Sequence, residues 1–456
     1  MTKYSELTIS SQRFGLGFQP EQRKHIAQIG FREWLYQQTK PNTYYIDPAI
    51  KDLPDSSEIL TAALKLQKSK QQVKKTDKQV IQQEIKKTSK ELYLRQIHAR
   101  HQQQINTPFD FQERLIRFWT NHFAISANGA KMQAIAGTIE NEVIRPHVNN
   151  NFSDMLSAVI KHPAMLMYLD NVKSFGPDSK RGIKNQKGLN ENLAREILEL
   201  HTLGVNGGYT QNDIINLSKA ITGWSVKPNN QGIVTFKFIS AAHQPEKIEL
   251  LGKKYNQKGL KKGEACLKDL ACSPATALYI SEKLSQHFIG EHDLVLINKL
   301  KMSFLANNGN LPDLYKIIIE YPKCWQTTQL RFRTPQEWLI ALHRSLKSTP
   351  KKKQLNQQLN VLAQPSYKSG SPAGWPDQDS DYNSSSGLIQ RWQIADQTAS
   401  FLIKQSKTDS RDLLDKVINT LYQNELDEHT LLAIQKSKDI KSAFIALWLS
   451  PQFQYR

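Results

Sequence analysis

Apolar residues return every three or four positions along most of this chain, the spacing that gives a helix one oily face. Residues 20–39 turn Ile26, Ile29, Phe31, Trp34 and Leu35 towards one side after a Pro start. Ile81, Ile85, Thr88 and Leu92 recur as i, i+4, i+7 and i+11, so the spacing predicts a long helix over 72–100. Leu115, Phe118, Trp119 and Phe123 form the apolar side of another over 109–125. Helix starts are marked by Thr334-Pro335-Gln336-Glu337 and Thr210-Gln211-Asn212-Asp213, both with the layout of a capping box, and by Ser273-Pro274. Gly204 is placed to end a helix over 190–203, and Asn206-Gly207-Gly208 to turn the chain into 211–222. Only 232–240 alternates like a strand, with Val234, Phe236 and Phe238 on one face. The expected fold is all-α, a multi-helix globular array with at most one short β ribbon near 232–240. It is read as a single large helical domain over 1–456. X-Pro pairs at 162–163, 273–274, 321–322 and 450–451 are too unequally spaced for a solenoid and read as punctuation between helices.

Residues 346–386 break the pattern. After Lys351-Lys352-Lys353 and a polar helix, the composition is that of a linker, yet Tyr367, Trp375 and Tyr382 are more aromatic surface than a loose tether carries. The stretch is read as an ordered loop insertion.

Composition narrows the classes. Lys and Arg number 61 against 42 Asp and Glu, a net charge of +19. Between residues 65 and 100 eleven basic residues face three acids, so this basic helix is a candidate surface for an acidic polymer, with Lys74, Lys75, Lys86 and Lys87 as contacts. Tyr93 is its only aromatic, which argues against base stacking and sequence-specific nucleic acid. There is no run of about 18 apolar residues, hence no expected transmembrane segment. The absence of a visible signal points to the cytoplasm. Three cysteines make no disulfide framework and no zinc motif. P-loop, dinucleotide-binding, GxSxG and HExxH patterns are missing, which argues against an ATPase, a dehydrogenase or a serine hydrolase.

The densest chemistry lies in NENLAREILELHTLGVNGGYTQND, residues 190–213. On a regular helix Asn192, Glu196 and Glu199 line one side, and Glu191, Arg195 and Glu199 an overlapping stripe, with Leu193, Ile197 and Leu200 towards the core. Glu196 and Glu199 are candidate acid and base groups, and Arg195 a candidate anion holder. The alternative is a buried network in which Arg195 meets a carboxylate of another helix. His201 falls on another side of the helix, so ligand spacing gives no support to a divalent metal unless His201, His122 and His243 converge on these carboxylates. Glu113, Arg117 and Asn121 share a second helix face, and the first two are spaced for an intrahelical ion pair. Two function classes stay open. One is an enzyme with a carboxylate, arginine and histidine cleft acting on a polar or anionic substrate such as a polysaccharide. The other is a non-catalytic scaffold holding an acidic polymer or protein partner through its basic helix.

Several stretches in order carry a family likeness: RFGLG at 13–17, FWTNHF at 118–123, HPAMLMYLDN at 162–171, the 190–213 signature, ITGW at 221–224, SPATALYI at 273–280, SPAGWPD at 371–377 and SPQFQYR at 450–456. In these the chain closely resembles the bacterial domain-of-unknown-function family 1800. The resemblance implies an all-helical fold and no particular activity. Many members carry an export leader, which implies an exported location, and their genes often neighbour those of family 1501, whose product is thereby a candidate partner. This chain reads His243-Gln244-Pro245 where an acidic residue often follows the histidine.

Overall fold

The computed structural model describes residues 5–19, 22–41, 43–72, 75–326, 331–405, 409–423 and 425–456, with the side chains of 75–77 left aside. Pro20 and Lys74 lie outside the described residues, as does the side chain of Lys75.

The chain is mostly helical, at 66%. Local chemistry sets the helix starts as the sequence anticipates. Thr334 Oγ1 accepts the Glu337 amide while Glu337 Oε2 accepts the Thr334 amide, and Thr210 and Asp213 exchange the same two bonds. Pro163, Pro274 and Pro451 each stand at the start of a helix, where a missing N–H removes no intrahelical bond. One continuous apolar cluster runs from Ile9 to Phe453, with Trp119, Trp224, Trp338 and Trp448 fully enclosed in it. Two of these indoles have partners that fix their orientation: Trp119 donates to the Tyr315 hydroxyl at 2.7 Å and Trp338 to the Trp448 carbonyl at 2.9 Å.

Several elements differ in detail from their expected form. The anticipated ribbon is there, β1 Trp224–Pro228 against β2 Val234–Phe238, antiparallel. A second, separate ribbon pairs β3 Ile248–Leu250 with β4 Lys253–Tyr255 across a turn of Leu251 and Gly252, both at positive φ. Three-residue strands are too short for alternation to register. The basic stretch 65–100 is two helices, Ser56–Gln72 and Lys75–Asn106, which fold back on each other so that Lys70 Nζ meets Gln82 Oε1 at 2.6 Å. No Gly or Pro marks the break, and polar helices on either side hide it. The signature helix is α-helical only over Asn192–Glu196 and continues as a π-helical turn, Ile197–His201. The wider turn rotates the residues beyond Glu196, so Leu198, not Leu200, is fully buried and His201 joins the core.

The 346–386 stretch contains the helix Lys352–Val361, whose Leu355 and Leu359 are buried. An irregular strap then leads to the next helix, Ser385–Gln405. Cys266 and Cys324 are buried, with thiols pushed up to about 12 by burial, while Cys272 is exposed. Among the described residues no helix is long and apolar enough to cross a membrane.

Candidate functional site

The helix Asp110–His122 presents Arg117, Thr120 and Asn121 on one face, as i, i+3 and i+4. That face looks into a pocket of about 970 Å³, counting its open mouth. The helix Pro274–Ile289 adds Lys283 and His287, and the capped start of Pro335–Leu346 adds Gln336 and Glu337. Arg100, Arg331 and Arg456 complete the polar wall, while Phe118, Phe123, Tyr367 and Trp375 supply the apolar one.

The strap 364–382 covers one side. Asn121 clasps it at two points, donating to the Trp375 carbonyl at 2.9 Å and accepting the Trp375 amide at 2.8 Å. Gly374 permits this approach: a Cβ there would stand 2.4 Å from the Asn121 carbonyl oxygen, and its φ is +83°. Lys283 pairs with Asp377 at 3.2 Å, and Arg331 binds the Asp377 carbonyl at 2.7 Å and Asp379 at 2.8 Å. The aromatics of the insertion therefore serve the pocket. Tyr367 is buried and Trp375 is half-buried at the pocket wall.

The lining is strongly cationic, with six basic side chains (Arg100, Arg114, Arg117, Lys283, Arg331 and Arg456) against Glu337 and Asp377. Most have counter-ions. Arg100 forks onto Glu140 at 2.8 and 3.1 Å. Arg114 and Arg456 share Glu337, the latter at 3.3 Å. Burial alone would raise the Glu337 carboxyl, but Arg456, Arg114 and Arg117 hold it well below the usual carboxylate range. Burial, then Arg456 and Arg114, pushes His287 well below the ordinary histidine value, so it sits neutral among guanidiniums. Its buried Nε2 has no partner among the described residues.

Arg117 is different. The sequence spacing predicts a pair with Glu113, but Glu113 forks onto Arg145 at 2.6 and 3.1 Å instead. A fully buried carboxylate takes the partner that is equally buried, where attraction is least screened. Arg117 keeps one hydrogen bond, a long 3.4 Å contact to the Gln336 side-chain oxygen, and no ion pair among the described residues. Burial and, next, Arg100 push it down to about 10. It is a half-buried cation at the wall of a cleft, near enough to Glu337 and Glu140 for both to favour its charge but paired with neither.

Residues 10–455 match the family described as a protein of unknown function (DUF1800). The chain belongs to that family. No curated protein and no solved structure matches it. Three of the sequence motifs that carry the likeness meet at this pocket: FWTNHF through Phe118, Thr120, Asn121 and Phe123, SPAGWPD through Trp375, Pro376 and Asp377, and SPQFQYR through Arg456.

The residues singled out in the 190–213 signature do not line the pocket. Arg195 lies half-exposed and meets Glu191 at 3.2 Å and Glu199 at 3.8 Å, both on its own helical segment, with Gln211 as its neighbour from the next. The expected carboxylate from another helix is not its partner. The Glu196 carboxyl is raised by burial and then by Glu199, and Glu199 accepts from Tyr209. His122 and His201 do come together, with ring centroids 6.0 Å apart and His122 Nε2 3.1 Å from the His201 carbonyl. They are packed behind the pocket wall among Phe123, Phe152 and Tyr279. Both are held low by burial, His201 to about 4. His243 stands apart, its Nδ1 3.0 Å from the Thr222 carbonyl and its ring against Phe238. Among the described residues no three His, Cys, Asp or Glu side chains gather as they would around a metal ion. Lys86 and Lys87 are exposed, but Arg100, counted with them in the basic stretch, is buried and belongs to the pocket.

Sequence reasoning missed Arg100, Lys283, Arg331, Glu337 and Arg456 as pocket residues. They come from separate helices and chain segments that only the fold unites. The available signal was the pairing of Arg117 with Asn121 on one face of a helix inside a family motif.

Proposed function

We propose that this cleft binds an anionic small molecule, or the anionic end of a larger one, and that Arg117 anchors it. The observation that carries the reading is Arg117 itself, a half-buried cation at a cleft wall with no ion pair among the described residues. A ligand carboxylate, sulfate or phosphate would supply the missing charge and fill the planar fork of donors that a guanidinium offers. The unpartnered Thr120 hydroxyl is a further donor on the same helix face. The aromatic wall suits a ligand with an apolar or ring-shaped body, as expected of organic ligands in concave sites. This supports the reading of a protein acting on a polar or anionic substrate, with the charge recognised by Arg117. Titration calorimetry with citrate, sulfate and phenyl phosphate tests it. At least one should bind, and Arg117→Gln should weaken that binding tenfold or more. Retained affinity in a folded Arg117→Gln protein would sink the assignment.

A second reading concerns chemistry. The raised carboxyl of Glu196 beside Glu199 favours Glu196 as a proton donor, with Arg195 and Glu199 as its ion-paired neighbours. Glu196→Gln should then abolish turnover of a substrate while leaving anion binding in the cleft intact. Full activity in that variant would remove Glu196 from the mechanism.

A further inference from the structure

The pocket's charge balance says more than its sign. Four of the six lining cations can be matched one to one with carboxylates: Arg100 with Glu140, Lys283 with Asp377, Arg331 with Asp379, and either Arg114 or Arg456 with Glu337. Arg145, behind Arg100, has Glu113 of its own. Two positive side-chain charges remain. One is Arg117; the other is the surplus on the Arg114–Glu337–Arg456 triad, where two guanidiniums share one carboxylate.

The two surpluses are close together. Arg114 and Arg117 are i and i+3 on one helix, and Arg117 contributes to holding the Glu337 carboxyl down. The carbonyls that Arg114 and Arg456 bind, Phe14 and Gly15 for the first and His287 for the second, satisfy N–H groups but cancel no charge. A singly charged ligand at Arg117 would leave one buried cation uncompensated, which is unfavourable where water is scarce. Two well-separated carboxylates would place one charge away from the double surplus. A compact group bearing two charges fits both conditions.

We infer that the cleft is built for a dianionic tetrahedral headgroup on an organic body, a phosphate monoester. This rests on the anion-binding reading of the same cleft. Such a group carries about −1.5 to −2 charge near neutral pH and three acceptor oxygens, enough to meet Arg117, the Thr120 hydroxyl and the triad together. The aromatic wall of Phe118, Phe123 and Trp375 then faces the ester's organic part.

The test uses the full chain and three probes at pH 8: phenyl phosphate, benzenesulfonate and inorganic phosphate. Phenyl phosphate and benzenesulfonate share a ring and a tetrahedral head and differ by about one charge. Phenyl phosphate is expected to bind at least tenfold tighter than benzenesulfonate, and Arg117→Gln should shrink that preference. Inorganic phosphate should bind more weakly than phenyl phosphate; equal affinities would show that the organic body is not recognised and overturn the ester assignment. Equal affinity for phenyl phosphate and benzenesulfonate overturns the dianion inference and leaves the anion cleft standing. No binding by any probe overturns both. The comparison is made first on the unaltered chain, so it decides the matter even if Arg117→Gln fails to fold.

Discussion

Removing Arg117 should make the empty protein more stable. Burial and Arg100 bring its guanidinium from 12.5 down to about 10, and a tenfold change in acidity is worth about 1.4 kcal/mol, so its charged form is disfavoured by about 3 kcal/mol. The side chain is half-buried rather than sealed, and water in the pocket mouth reduces that to about 1–2 kcal/mol. Arg117→Met keeps most of the aliphatic stem's packing and removes the charge. The expected outcome in low-salt buffer without added anions is a gain of about 1–2 kcal/mol, seen as a higher urea midpoint at unchanged slope. The same variant should lose the stabilisation that a bound anion gives the unaltered protein by mass action.

The contrast with Glu337 makes the test sharp. Glu337→Gln leaves Arg114 and Arg456 facing each other without their shared carboxylate, and should destabilise by about 3–5 kcal/mol. Two neighbouring pocket residues thus have opposite expected signs. Stability surrendered at a residue that nothing in the fold requires is the mark of a binding group. A loss of more than about 1 kcal/mol in Arg117→Met would show that the guanidinium holds the fold together, and the argument for a ligand would fail with it.

The same geometry sets other outcomes. Gly374→Ala should break the Asn121 clasp and speed proteolysis of the 364–382 strap, while the helical signal in circular dichroism stays unchanged. Asp293 accepts two helix-start amides and is held at about 2: burial works against its charge, but the hydrogen bond to Lys323 and those amides outweigh it. Its depressed value means its contribution is present above about 4 and is lost as pH falls towards 2; Asp293→Asn should lower stability by about 2 kcal/mol at pH 7 and less at pH 2. His201, buried and neutral, titrates near 4 against 6.5 when free, so its contribution is complete above 6.5 and lost as pH falls towards 4. His201→Gln should therefore flatten the stability–pH curve in that window. If Lys86 and Lys87 hold an acidic polymer, replacing both with Gln should shift heparin elution to lower salt, and unchanged elution would mark them as a solvated face.

What the sequence could disclose was decided by how local the cause was. Capping boxes at Thr210 and Thr334 act within one turn, and structure and sequence agree there residue for residue. The π turn at Ile197–His201 cannot be read from spacing, because a 3.6-residue period is assumed in reading it. That single turn moves Leu198 inward in place of Leu200 and carries His201 into the core. The second ribbon is too short to carry a pattern, and the break between the two basic helices has no punctuation.

Arg117 shows the deeper limit. Its spacing from Glu113 is that of a good intrahelical pair, worth about 0.2–0.5 kcal/mol at a surface. In the folded chain Glu113 is fully buried, where an unmatched carboxylate would be disfavoured by several kcal/mol, and Arg145 reaches it with a two-point contact. The buried demand exceeds the local one about tenfold, so Arg117 is released. Nothing within four residues could have revealed this, since the competitor is 32 positions away from Glu113. An ion pair expected from spacing and then refused by the fold leaves a desolvated charge. Here that charge lines a cleft where FWTNHF, SPAGWPD and SPQFQYR converge. A cation left unmatched for structural reasons alone would have been free to turn into solvent. Arg117 is instead kept beside Gln336 and Thr120, facing the space between an aromatic wall and a surplus of positive charge.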